Sequence, residues 1–102
     1  MGRITFDERP MGVTMQVMGR LAGNFAEETK QLVLRRNFPA DLVVDLSEVT
    51  FADGCGEEAL TWLGRLGAKF IAESSYASDL CERLHLRLST GVTRDVNYQP
   101  GD

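Results

Sequence analysis

One short run, residues 42–46 with the sequence Leu-Val-Val-Asp-Leu, constrains the fold of this chain more than any other feature. A strand that is apolar at nearly every position is usually central in a sheet and parallel to its neighbours. The run follows a segment of alternating polarity over residues 13–18 and a segment of helical periodicity over Asn24–Arg36. Strand, helix and strand in this order predict a βαβ unit with a right-handed crossover.

The patterns on either side of this unit extend it to a small α/β domain. Residues 4–6 and 13–18 alternate apolar and polar side chains, and the turn between them indicates an antiparallel hairpin whose second strand ends at Gly19. After the central strand we expect a loop over residues 47–56 that buries Phe51, then a helix over 57–66, a strand over 69–73 and a helix over 76–84. The order β, β, α, β, α, β, α predicts a mixed sheet of four to five strands with helices mainly on one face.

Individual residues refine the boundaries and faces of the helices. Asn24 is expected to cap the first helix at its N-terminus. Gly67 suits the left-handed cap that ends the second helix. The spacing of Ala59, Leu63 and Leu66 predicts that all three face inward from that helix.

The length of 102 residues argues for one domain with a core large enough to fold without disulfides or metal. The regular pattern is lost after Leu86, so we expect a domain over residues 1–86. Residues 87–102 are then an edge segment or a loose tail, in which Val92 and Val96 would form a short strand or contact a partner.

The composition argues against several classes of partner and cofactor. A net charge of −4 and a pI near 4.9 disfavour nucleic-acid binding, which needs clustered Lys and Arg. No apolar run approaches the ~20 residues of a membrane-spanning helix, and the first ten residues do not resemble a secretory signal. Cys55 and Cys81 lie far apart, and His85 is the single histidine, so a zinc site is not expected. The expectation is a reduced, cytoplasmic protein.

Residues 43–56 resemble the signature of STAS domains, which occur in sulphate transporters and anti-sigma-factor antagonists. That signature is an apolar strand ending in Asp-Leu-Ser, an apolar pair with Phe, and Asp-Ser-Ser/Ala-Gly at the start of a helix. Residues 17–21 resemble the family's V-x-G-x-L strand end, and residues 67–70 its G-x-x-L approach to the next strand. The resemblance covers about residues 4–86 and implies a small STAS-like single domain.

The sequence departs from the family pattern at the position that matters most for regulation. In the bacterial regulators the serine after the signature aspartate is phosphorylated by a partner that is both anti-sigma factor and kinase. Here Asp53 is followed by Gly54, which has no hydroxyl, so the standard phospho-switch cannot operate there. The next family position, commonly Ser or Ala, is Cys55, and the family's final helix is not evident.

The resemblance implies that the signature loop and the following helix form the partner-binding surface. The candidate residues are Asp53, Gly54, Cys55, Gly56, Glu57 and Trp62. A plainer interpretation makes the same stretch a strand-to-helix turn that Asp53 caps, and the two interpretations are compatible. Trp62 either covers the edge of the core or anchors a partner.

The same residues offer little support for catalysis. A helix N-terminus lowers the pKa of a thiol, but Glu57 beside Cys55 opposes that effect, and Cys81 is expected in the core. Gly54 and Gly56 form only a lone G-x-G beside acidic residues, which disfavours a nucleotide phosphate. We therefore expect no enzyme activity, no cofactor and no metal.

The function implied by the resemblance is a non-enzymatic regulatory module that binds an anti-sigma factor of the kinase-like ATPase class. Capture of that factor would free a sigma factor and affect transcription without DNA contact. Two alternatives stay open. One is a STAS regulatory subunit of an ABC-type lipid transporter, and the other is a nucleotide- or small-ligand-sensing STAS domain.

Overall fold

The predicted order of seven elements is confirmed in the computed structural model, which describes residues 2–10, 12–36 and 42–89. The elements are β1 (Arg3–Arg9), β2 (Gly12–Leu21), α1 (Asn24–Arg36), β3 (Leu42–Ala52), α2 (Gly54–Arg65), β4 (Lys69–Ile71) and α3 (Ser75–Arg83).

The strands form one mixed sheet in the order β1-β2-β3-β4. β1 and β2 are the predicted antiparallel hairpin, with Ile4 opposite Val17. β2 and β3 are parallel, with Met15 beside Val44, and β3 and β4 are also parallel. The central, parallel position predicted for the strand at residues 42–46 is therefore confirmed.

All three helices share one hydrophobic core with a single face of the sheet. The strands contribute fully buried side chains to that core, among them Met15, Val44 and Phe70. The helices contribute Ala26 and Val33 of α1, Ala59, Leu60 and Leu63 of α2, and Ala77, Leu80 and Cys81 of α3. The other sheet face carries half-buried side chains such as those of Thr14, Gln16 and Asp45. The prediction of helices mainly on one face is confirmed.

The predicted loop over residues 47–56 is wrong, because β3 continues to Ala52. Phe51, expected to be buried, is 37% exposed and stacks against the Arg20 guanidinium, 4.6 Å from the ring centroid. The local pattern does not indicate this part of the strand, because its register with β2 shifts twice and the alternation of buried and exposed positions is interrupted after Leu46. Val49 and Ala52 then resume the buried face.

Gly19 does not end β2, which runs to Leu21. It takes a φ of +84° beside a register shift, so this glycine serves a bulge inside the strand.

The helix boundaries differ from the predictions in smaller ways. Helix α1 begins at Asn24 itself, and α2 begins at Gly54, three residues earlier than predicted. Leu66, predicted to face inward, is 53% exposed at the C-terminal end of α2, whereas Ala59 and Leu63 are buried as predicted.

Residues 87–89 lie against the edge of β4. The Phe70 amide donates to the Arg87 carbonyl at 2.9 Å, and the Ser89 amide donates to the Phe70 carbonyl at 2.7 Å. Val92 and Val96 lie outside the described residues, so the boundary after residue 86 stays a prediction. No helix in the described part of the chain is both long enough and apolar enough to cross a membrane.

Candidate functional site

The Asp53 carboxylate joins two loops at the end of the sheet where β2 and β3 finish. Its Oδ1 accepts a hydrogen bond from the Gly56 amide at 2.8 Å, which caps α2 as the sequence predicted. Its Oδ2 accepts a hydrogen bond from the Gly23 amide at 3.0 Å, in the turn between β2 and α1. These amide hydrogen bonds, that of Gly56 foremost, hold the pKa of the Asp53 carboxyl below its ordinary value of 3.8, so the carboxylate stays ionised at neutral pH.

Gly56, whose amide binds Asp53, is buried. A Cβ atom at this position would lie 2.0 Å from the Leu21 carbonyl oxygen and 3.2 Å from the Ala52 Cβ. The first turn of α2 therefore packs directly on the backbone at the end of β2. Gly56 belongs to the predicted site, but it shapes the loop and offers little surface to a partner.

Gly54 and Cys55 form the exposed tip of the site. A Cβ atom at Gly54 would meet no atom within 4 Å, so this position has open space around it. The Cys55 thiol is free and exposed. The tip is thus accessible, while Asp53 and Gly56 fix the backbone on either side of it.

Glu57 connects the start of α2 to α3. Its carboxylate accepts from the Arg83 guanidinium at 3.2 Å, and Asp79 accepts from the same guanidinium at 3.2 Å. The hydrogen bonds to Asp79 and then to Glu57 raise the pKa of Arg83. No local sequence pattern indicates this link, because Glu57 and Arg83 are 26 positions apart.

Trp62 is half-buried against the core and does not lie at the tip itself. It shares an open groove along α2 with Gly54 and Glu57, so three of the six candidate residues line one surface. The Lys30 ammonium lies 5.9 Å from the centroid of the Trp62 ring, which brings α1 to the rim of that groove.

Two further contacts, neither predicted, join β3 to the part of the chain that follows β4. The Tyr76 hydroxyl accepts a hydrogen bond from the Ala52 amide at 2.8 Å, directly before Asp53. The Ser47 hydroxyl accepts from the Glu73 amide at 3.1 Å, so this nearby hydroxyl is engaged in the fold. Both contacts join residues more than 20 positions apart, and no local pattern could have revealed them.

The chemistry available at the site is limited. Cys81 lies in the core as predicted, and burial raises the pKa of its thiol to about 11. Across the described ranges no three or more His, Cys, Asp and Glu side chains come together as a metal site would require. The arrangement provides a fixed, exposed loop and no cluster of reactive groups.

Comparison with known proteins gives structural likeness without sequence likeness. Neither a family model nor a curated protein matches the sequence. The anti-sigma factor antagonist SpoIIAA in its unphosphorylated form is similar with a TM-score of 0.65 at 10% identity, over 93% of this chain and 90% of that one. An uncharacterised protein from Shewanella loihica PV-4 with a SpoIIAA-like fold has a TM-score of 0.55 at 11% identity, over 99% and 84% of the two chains. Mglu has a TM-score of 0.51 at 17% identity, over 69% of this chain and 19% of that one.

Proposed function

We propose, from the premise that this chain has the SpoIIAA-like fold of a STAS-like domain, that it is a non-enzymatic regulatory module. It binds an anti-sigma factor of the kinase-like ATPase class through the Asp53 loop and the start of α2. The observation that carries the proposal is the exposed tip formed by Gly54 and Cys55, held between the two hydrogen bonds of Asp53.

A fixed loop suits protein recognition because a partner does not have to order it. Immobilising a loop on binding costs free energy, and a loop that is already held in place avoids that cost. The two Asp53 hydrogen bonds and the Tyr76 bond to Ala52 supply this order in the free domain. The tip also has a small-residue surface, since Gly54 has no side chain, which allows close approach of a partner's backbone.

The proposed surface cannot be switched by phosphorylation at Gly54. A phosphate adds nearly two negative charges, and at the N-terminus of α2 it would alter whatever docks there. Without a hydroxyl at Gly54 the surface keeps one charge state at this position. The open space around Gly54 would accommodate a serine, so Gly54→Ser offers a direct test of whether only the acceptor is missing.

The test is affinity capture from the native cell lysate with three baits. The wild-type domain is compared with Gly54→Glu, which places a charge at the tip, where a new Cβ atom meets nothing within 4 Å. The matched control is Leu34→Glu, which adds the same charge at a 57% exposed position on α1, outside the groove along α2. Asp53 is less suitable, because its removal would release the amides of Gly23 and Gly56 and disturb the loop itself.

The proposal predicts that an anti-sigma factor of the ATPase class is recovered with the wild type and Leu34→Glu. Its recovery should fall about tenfold or more with Gly54→Glu, which corresponds to ~1.4 kcal/mol of binding free energy. Recovery of ABC transporter subunits would instead replace the proposal with the lipid-transport alternative. Equal recovery of the same proteins by all three baits would show that the tip is not a docking site.

A further inference from the structure

A second surface, at the opposite end of α2 from Asp53, concentrates positive charge on this acidic domain. An open groove of about 380 Å³ is lined by Arg65, His85 and Arg87 together with the Thr61 hydroxyl, and we call it the cationic groove. No Asp or Glu is among the residues that line it. Within the part of the chain that the structure describes, neither Arg65 nor Arg87 makes an ion pair.

Four backbone carbonyls at the two helix ends beside the cationic groove already accept hydrogen bonds, those of Leu63, Gly64, Cys81 and Glu82. Helix α2 ends with hydrogen bonds from the Gly67 amide to the Gly64 carbonyl at 3.0 Å and from the Ala68 amide to the Leu63 carbonyl at 3.2 Å. Helix α3 ends in the same manner, because the Leu86 amide donates to the Cys81 carbonyl at 2.9 Å and the His85 amide donates to the Glu82 carbonyl at 3.2 Å. The polar side chains that line the groove, those of Thr61, Arg65, His85 and Arg87, can all donate hydrogen bonds.

The sum of charges also favours an anion. Each helix C-terminus contributes roughly half a negative charge, so two of them contribute about −1. Arg65 and Arg87 carry two full positive charges. The positive side chains thus outweigh the helix ends, although the chain as a whole carries −4.

His85 occupies a position that favours glycine. Its φ is +57°, and it is the one non-glycine residue with positive φ in the described ranges. The equivalent position at the end of α2 is held by Gly67, with φ +99°. A side chain in this conformation costs folding free energy, and residues held in such conformations cluster at functional sites.

We propose that the cationic groove is a binding site for the phosphate group of a small soluble molecule. Arginine presents a planar fork of donors that matches phosphate oxygens, and two arginines with a histidine and a hydroxyl supply the donors such a group requires. The volume is in the range of small-ligand sites. The cationic groove does not include the Asp53 loop, but it adjoins the groove along α2, with which it shares Thr61, Arg65 and Leu84.

The experiment is an NMR titration of the ¹⁵N-labelled domain with inorganic phosphate, with sodium chloride adjusted to keep the ionic strength constant. We expect saturable shifts at the amides of Arg65, His85 and Arg87. The amides of Gly54 and Gly56 report on the N-terminus of α2 in the same spectra, and saturation there instead would overturn the assignment of the groove.

Two double variants separate a specific site from general charge. Arg65→Gln with Arg87→Gln should weaken phosphate binding at least tenfold, whereas Arg3→Gln with Arg35→Gln removes the same charge elsewhere and should leave it within about twofold. Equal weakening in both double variants would contradict the proposal. Vesicles of phosphatidylcholine with phosphatidic acid form a second arm, and binding to these vesicles without binding to inorganic phosphate would reject a soluble ligand.

Discussion

The close packing of Gly56 on the end of β2 leads to a sharp prediction about two glycines that are two positions apart. In Gly56→Ala the new Cβ would lie 2.0 Å from the Leu21 carbonyl oxygen. The atom that it meets is backbone, so relief requires α2 or β2 to move by more than an ångström. In Gly54→Ala the new Cβ meets nothing within 4 Å.

The expected magnitudes follow from this difference. Overpacking that forces a backbone shift typically costs ~1–3 kcal/mol, and we place Gly56→Ala near the upper end because the overlap is large. The gain in helix propensity from Gly to Ala, up to ~1 kcal/mol, offsets only part of that cost. Gly54→Ala has the propensity gain without the overlap, so it should be neutral or slightly stabilising. The two variants should differ by ~2–3 kcal/mol.

Urea unfolding followed by fluorescence of Trp62, the single tryptophan, measures both free energies of unfolding. In a domain of this size 1 kcal/mol corresponds to a change in Tm of ~4–8 °C, so the two melting temperatures should differ by at least ~8 °C. If Gly56→Ala unfolds within 0.5 kcal/mol of the wild type, roughly the size of an ordinary surface substitution, the packing of α2 on Leu21 is refuted. Equal destabilisation by both variants would refute the steric reasoning.

Three further predictions concern single groups. His85→Gly should stabilise the domain by ~1 kcal/mol in urea unfolding, because it removes a side chain from left-handed backbone, and a destabilisation would contradict the φ of +57°. The lowered pKa of Asp53 means that its carboxylate stabilises the fold above about pH 4 and that this contribution is lost as pH falls through the lowered value. Asp53→Asn should therefore lose less stability than the wild type on acidification, and an identical acid profile would count against the two amide bonds. In the native protein an alkylating reagent should modify exposed Cys55. It should leave Cys81 unmodified until the chain unfolds, because Cys81 is buried and its pKa is raised to about 11. Similar alkylation rates at the two cysteines would contradict the burial of Cys81.

The sequence predicted the central features of the fold because those features are local. The apolar run at residues 42–46 and the alternation at 13–18 each report burial of one strand, and the helix between them dictates a parallel pairing. The predicted strand ends were wrong where pairing between β2 and β3 overrides the local pattern of polarity. The register shifts between β2 and β3 place Ser47 and Thr50 on a strand, although their polarity indicates a loop. The same shifts explain Gly19, which the local pattern marks as a strand end and the structure places at a bulge inside β2.

In the candidate site, too, local features could be predicted from the sequence and contacts between distant residues could not. The cap formed by Asp53 on α2 is a local motif and was predicted from the sequence. Its second hydrogen bond, to Gly23, joins residues 30 positions apart and depends on the tertiary fold. The burial of Gly56 against Leu21 likewise depends on where β2 ends. Nothing in the spacing of the glycines indicates that Gly54 has open space around it while Gly56 is packed against the backbone.

The central claim, that the tip at Gly54 docks an anti-sigma factor, is tested most directly by titrating the purified ATPase-class factor against labelled domain. We predict that Gly54→Glu raises the Kd about 100-fold, equivalent to ~2.7 kcal/mol, because a charge without a partner would be buried at the interface. Leu34→Glu, on the exposed side of α1, should change the Kd by no more than about twofold. Binding of Gly54→Glu with the wild-type Kd would contradict the account.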